Sequence, residues 1–150
     1  MRSAGETPER AKEPSPDWLR WAALGVRVAL GAAFLSGVAD RFGLYGRDVG
    51  YGDFAGFVRY TAKVNSFMPA ATIPFLAWTA TIAELFFGVA LIAGLWRVWV
   101  ALGSAVLLIL FGTAMAVSFG IKSPLDYSVF SAASAALLVA AYERSRKERK

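Results

Sequence analysis

PFLAWTATIAELFFGVALIAGL, residues Pro74 to Leu95, is a run of 22 residues with a single ionisable side chain, Glu84, near its centre. A helix of ~20 apolar residues crosses the hydrocarbon core of a bilayer, which is ~30 Å thick. A charge at the middle of such a helix costs ~2.5–3.5 kcal/mol on insertion scales, so Glu84 calls for a proton, water or a partner. The nearest candidate partner is Arg27, the only charge inside another apolar run. Counted from the ends of their runs, the two reach nearly the same depth.

Neighbouring segments repeat the pattern. A first span is predicted over about 18–38, with Trp18 and Trp21 as interfacial anchors. Gly25, Ala29, Ala33 and Gly37 form a stripe of small residues suited to close helix packing. Arg20, Arg27, Phe34 and Arg41 form a heptad-spaced line on another face. Arg20 and Arg41 can snorkel to the two interfaces, whereas Arg27 is too deep to do so easily. The second span, about 74–95, is followed so closely by the third, about 98–119, that the two must be antiparallel neighbours. Ser123-Pro124-Leu125-Asp126 reads as an N-cap, a first-turn proline and an acid at the third position. It opens a fourth span over about 125–142, with Ser128, Ala132, Ala136 and Ala140 as a second small-residue stripe.

The one long loop joins the first two spans. Its Gly-rich first part must turn several times, and Phe54 to Met68 carries apolar residues on one helical face. The expected result is a short amphipathic helix capped by Asp53, ended by Pro69 and lying at the membrane surface. The fold class is therefore all-α: an integral membrane antiparallel four-helix bundle with a short amphipathic helix in its first extramembrane loop. Residues 1–17 are expected to be a disordered cytoplasmic tail, residues 18–142 the membrane domain, and residues 143–150 a basic cytoplasmic tail. Ten basic residues fall inside and five outside (Arg41, Arg47, Arg59, Lys63, Lys122) when both termini are cytoplasmic, which sets the orientation.

Composition bounds the chemistry. Of the 150 residues, 57% are apolar, and the mean hydropathy of +0.49 exceeds that of ordinary soluble domains. The net charge of +5 sits at the ends and in loops, a membrane distribution rather than a nucleic-acid patch. With no Cys and no His, thiolate relays, axial haem ligation and zinc or iron–sulfur sites are not expected. No nucleotide-binding glycine loop, metalloprotease motif or nucleophile elbow occurs, so a self-contained catalytic motif is missing.

Two readings of Arg27 and Glu84 stay open: a structural ion pair, or the floor of a polar pocket. Asp40, Asn65, Trp78, Asp126 and Tyr127 are the other pocket candidates, at an outer rim that also holds Arg41, Asp53 and Lys122 or on the outer half of the second span; caps and surface salt bridges are the simpler reading of the rim. No metal ligands are proposed.

The stretches RVALGAAFLSGVADRFG, from Arg27, and AELFFGVALIAGLWR, from Ala83, resemble the DoxX family of small four-helix membrane proteins. Glu84, Gly88, Leu91 and Gly94 match its E-x-x-x-G-x-x-L-x-x-G motif, and Arg27 matches the Arg that begins its first motif. The resemblance extends over about 26–142. It implies a bacterial plasma-membrane protein linked to respiratory or thiol/sulfur redox chemistry, since some relatives are named as subunits of thiosulfate:quinone oxidoreductase. It thereby implies quinone as a cofactor held by no dedicated motif, and an oxidoreductase subunit as partner besides the lipid bilayer and further copies of the chain. The absence of Cys excludes a dithiol mechanism of the vitamin-K-epoxide-reductase kind. A non-catalytic scaffold for partner proteins and a small-molecule or anion carrier are the alternatives.

Overall fold

Helix α1, Asp17–Arg41, buries Ala23, Arg27, Leu30, Gly31, Phe34, Val38 and Arg41. That face recurs every three to four residues, as a single helical stripe must, and it contains the last three members of the heptad line. In the computed structural model, which describes residues 17–149, the elements that follow are α2 (Phe54–Val64), a 3₁₀ turn (Ala70–Thr72), α3 (Ile73–Ala93), α4 (Arg97–Phe119), α5 (Lys122–Asp126) and α6 (Val129–Glu148). The predicted N-terminal tail lies outside the described residues except for Asp17, which opens α1. So does Lys150, the last residue of the predicted basic tail. No strand occurs among the described residues.

Among the described residues, three helices are long and apolar enough to cross a membrane: Asp17–Arg41, Ala70–Ala93 and Arg97–Phe119. The fourth predicted segment is interrupted. Ser128 takes a left-handed conformation (φ 54°) between α5 and α6, and neither helix has a side-chain cap at its start. Ser123 is thus not the N-cap that its sequence suggests, and Asp126 pairs instead with Lys122 at 2.5 Å on the surface. Beyond Tyr142, α6 continues as a charged helix to Glu148.

α1 packs mainly on α3, and α4 mainly on α6. Leu30, Phe34, Ala90, Leu91, Val100, Ala105 and Ala136 form the apolar core between them. The small-residue stripe predicted for α1 does not make the close contact, since Gly25, Ala29 and Ala33 are exposed. The backbones approach instead at Gly31 and Gly88, where a Cβ on Gly31 would stand 2.8 Å from the Gly88 carbonyl oxygen. On α6 the second stripe does pack: Ala136 and Ala140 are buried and Ala132 is half-buried.

This contact sets the register of the antiparallel pair. Gly37 faces Glu84, while Arg27 faces Leu91 and Gly94. Arg27 therefore lies level with the last turn of α3, and the part of α1 before it runs beside the α3–α4 turn, where Val26 packs against the cluster that holds Ala101, and Arg20, Trp21 and Leu24 share a pocket wall with Arg97.

Candidate functional site

The register separates the two residues from which the sequence reading began. Arg27 and Glu84 do not pair. Glu84 accepts a hydrogen bond from Arg41 Nη2 at 2.5 Å, and both side chains are buried. Side chains on a helix lean toward its N-terminus, so Arg41 at the end of α1 reaches back to the level of Gly37 and Glu84. Arg41 is consequently not a snorkelling surface arginine. Its Nη1 donates to Thr81 Oγ1 at 3.0 Å, its guanidinium lies 3.8 Å from the centre of the Phe57 ring, and its buried Nε has no partner among the described residues. Thr81 in turn donates to the carbonyl of Ala77.

Helix α2 supplies the lid over this pair. Asp53 accepts from the Gly56 amide at 2.7 Å as its N-cap. Phe57, Thr61 and Val64 are buried, while Arg59 and Lys63 face solvent. Tyr51, just before the cap, stacks edge-on against Phe57 and lies 5.1 Å from the Tyr60 ring. Burial, reinforced by Tyr60, holds the Tyr51 phenol above its ordinary value, and burial does the same for Tyr60.

Between α1, α2, α3, α4 and the start of α6 lies a cavity of about 630 Å³ with a mainly apolar lining. Arg41, Glu84, Tyr51, Tyr60, Thr61, Asn65, Thr79 and Thr113 are its polar side chains, and Phe34, Phe57, Leu76, Leu108 and Phe111 are among its apolar walls. Glu84 is the only carboxylate of the lining.

The remaining sequence candidates are dispersed. Asn65 lines the cavity, with its amide donating to the Thr61 carbonyl. Asp40 is half-buried: one carboxylate oxygen accepts the Tyr51 amide and the other is buried without a partner. Trp78 lies outside the lining, with its ring centroid 4.4 Å from that of Phe54 and the two rings tilted by 35°. Asp126 and Tyr127 are exposed and belong to neither cavity wall nor lid. Arg27 serves the other end of the bundle, where its Nε and Nη2 donate to the Leu91 carbonyl at 3.1 and 2.8 Å. That carbonyl is one of the acceptors a helix C-terminus leaves open, so Arg27 caps α3 from the side. Gly94, left-handed at φ 73°, closes the same terminus. A Cβ there would run into the Arg27 guanidinium.

Thr81, Tyr51 and Tyr60 are not among the sequence candidates, whereas Arg41 belongs to the outer rim with Asp40. The signal for Arg41 was its place on the heptad line with Arg27 and Phe34. Thr81 stands three residues before Glu84, on the same face of α3.

The DoxX family model matches residues 22–119. The chain belongs to the DoxX family. The match takes in α1 from Ala22, the lid, α3 and α4, hence every residue of the cavity's ion pair, and ends before α5 and α6. With three helices long enough to cross a bilayer, this DoxX member is a helical membrane protein. Comparison with curated proteins and with solved structures gives no match.

Proposed function

We propose that the cavity beneath α2 receives a lipophilic carbonyl compound of the quinone class, and that the protein is an accessory membrane subunit of an oxidoreductase system. One observation carries this reading. An apolar cavity large enough for a substituted ring ends on a buried guanidinium whose Nε–H has no acceptor among the described residues. An orphaned buried donor costs ~1–3 kcal/mol, and a ligand carbonyl would remove that cost. Binding pockets for small molecules commonly combine apolar walls with a few convergent polar groups.

In this reading Arg41 orients the ligand by donating to a carbonyl. Thr81 and Phe57 hold the guanidinium in place, and α2 excludes water. Glu84 keeps one carboxylate oxygen, Oε2, free of hydrogen bonds among the described residues and can hold a proton at the ligand's edge. A quinone, when bound, supplies two-electron, two-proton redox chemistry; the electrons must come from a partner, since the chain carries no Cys or His.

The topology that accompanies this proposal has four spans, α6 being the fourth, both termini on the cytoplasmic side of a bacterial plasma membrane, and α2 at the opposite surface. It is supported by the excess of positive charge at the Arg27 end and by exposed Trp18, Trp21, Trp96 and Trp99 at that same end.

The test is extraction of the purified protein for quinone, together with melting curves in a short-chain ubiquinone analogue. Quinone recovered at near-stoichiometric amounts, or a saturable rise in melting temperature that Ala114→Phe abolishes by filling the cavity, is the expected outcome. No recovered quinone together with no shift would sink the proposal.

A further inference from the structure

At the end of the bundle away from α2, three arginines surround one acid. Glu143 of α6 is buried, and its carboxylate oxygens lie 4.0 Å from Arg27, 3.6 Å from Arg97 and 3.5 Å from Arg146. None of these is a close hydrogen bond, since charge-assisted N–H···O contacts run ~2.7–2.9 Å. Glu143 thus sits among three guanidiniums without using up their donors. Together with Arg20 they line a second pocket, of about 250 Å³ and largely polar. Four positive groups and one negative leave the lining at three positive charges, of which Arg20 is partly balanced from outside the lining by Asp17 at 3.6 Å. Arg27 has committed Nε and Nη2 to Leu91, and Arg97 makes only a long contact of 3.4 Å to the Gly94 carbonyl. Arg146 donates no hydrogen bond among the described residues. The Tyr142 hydroxyl, also on the wall, is buried without a partner among the described residues. The pocket is therefore rich in donors and poor in acceptors.

We infer that this pocket binds a phosphate ester. Phosphate offers several acceptor oxygens and a compact negative charge, which match planar arginine forks and a free phenol. Its position indicates the source. The pocket lies at the level where α3 ends, its lip carries exposed Trp21 and Leu24, and exposed Trp96 and Trp99 stand at the same end. Indole side chains favour the headgroup level of a bilayer, and basic pockets between membrane helices take anionic headgroups. An anionic phospholipid would set its phosphate among the arginines and its acyl chains along Trp21 and Leu24. A soluble phosphate monoester shares the phosphate chemistry but has no use for the apolar lip. The site involves neither Arg41 nor Glu84 and stands apart from the quinone proposal.

The test uses the full chain in an uncharged detergent. Melting temperature is followed against dioctanoyl phosphatidylglycerol, against dioctanoyl phosphatidylcholine and against inorganic phosphate. Binding to the folded state raises the midpoint with the logarithm of ligand concentration. The expected result is a saturable rise with phosphatidylglycerol only. Arg146→Ala and Tyr142→Phe should each weaken it, the arginine change by about tenfold, the worth of one hydrogen bond to a charged group. Arg144→Ala removes the same charge from the solvent face of α6, where Arg144 pairs with Glu148, and should leave the titration unchanged. An equal response to inorganic phosphate, lost in Arg146→Ala, supports the phosphate pocket with a soluble ligand as its source. A response shared by phosphatidylcholine, one that Arg144→Ala weakens as much as Arg146→Ala, or no response to any of the three overturns the inference.

Discussion

Replacing Glu84 by leucine would strand the Arg41 guanidinium, and the structure says what that should cost. Arg41 is 4% exposed and would keep only Thr81 as a hydrogen-bond partner and Phe57 as a stacking surface. Removing one partner of a buried pair typically costs ~3–5 kcal/mol, because the remaining charge is left in an apolar setting. Arg41→Met should cost a similar amount for the mirror reason, lowered to the extent that Glu84 takes up a proton. The double variant Arg41→Met/Glu84→Leu removes both charges, and such replacements are often neutral or better. Its stability should thus lie within about 1–2 kcal/mol of the parent, giving a coupling of at least ~3 kcal/mol. The same cycle for Arg27 and Glu84 should show almost none. Ten residues of α1 separate Arg27 from Gly37, the residue opposite Glu84, or about 15 Å, and sites that far apart add within ~0.3–0.5 kcal/mol. Equilibrium unfolding in mixed micelles, with each variant's fold checked by circular dichroism, measures both cycles. Additive losses at Arg41 and Glu84, or coupling above ~1 kcal/mol between Arg27 and Glu84, would refute the register and the pairing together.

Two glycines of α1 should respond with opposite sign. Gly31→Ala puts a Cβ against the Gly88 carbonyl and Ile92 and should cost ~1–3 kcal/mol of overpacking, whereas Gly25→Ala meets nothing within 4 Å and should gain ~0.5–1 kcal/mol of helix propensity; paired unfolding curves decide it, and equal signs would remove the close α1–α3 contact. Tyr51 predicts an alkaline limb. Its folded value is raised above the ordinary 10.0 by burial, so its contribution is full below that pH and is lost as pH rises through the folded value. Tyr51→Phe should therefore flatten the fall in melting temperature above about pH 10, and an unchanged slope would show that the ring is not sequestered beneath the lid.

Helix identity was legible because apolar residues with helical spacing and few charges leave little choice, and α1, α3 and α4 begin and end within a few residues of their predicted bounds. Partnering was not legible. Depth along an apolar run predicts a partner only where antiparallel helices start and stop flush. Gly31 and Gly88 fix a different register, in which α1 runs on beside the α3–α4 turn and Arg27 lies at a helix end rather than at mid-depth. Glu143 was hidden for a related reason: it stands at the head of a basic tail, and only packing against Arg27 and Arg97 turns it inward. Asp126 looked like a capping acid by spacing, but the left-handed Ser128 ends that helix after one turn.

The order of synthesis gives the two buried arginines of α1 a further consequence. Arg41 finds Glu84 43 residues later in the chain, and Arg27 finds the Leu91 carbonyl 64 residues later. At ~5–20 residues per second, the interval before Leu91 exists is roughly 3–13 s. During that time α1 carries two guanidiniums with no protein acceptor, a poor cargo for release into hydrocarbon. The emerging helix is therefore expected to linger at the insertion machinery or the lipid headgroups and to enter the bilayer together with α3, as a pair rather than one span at a time.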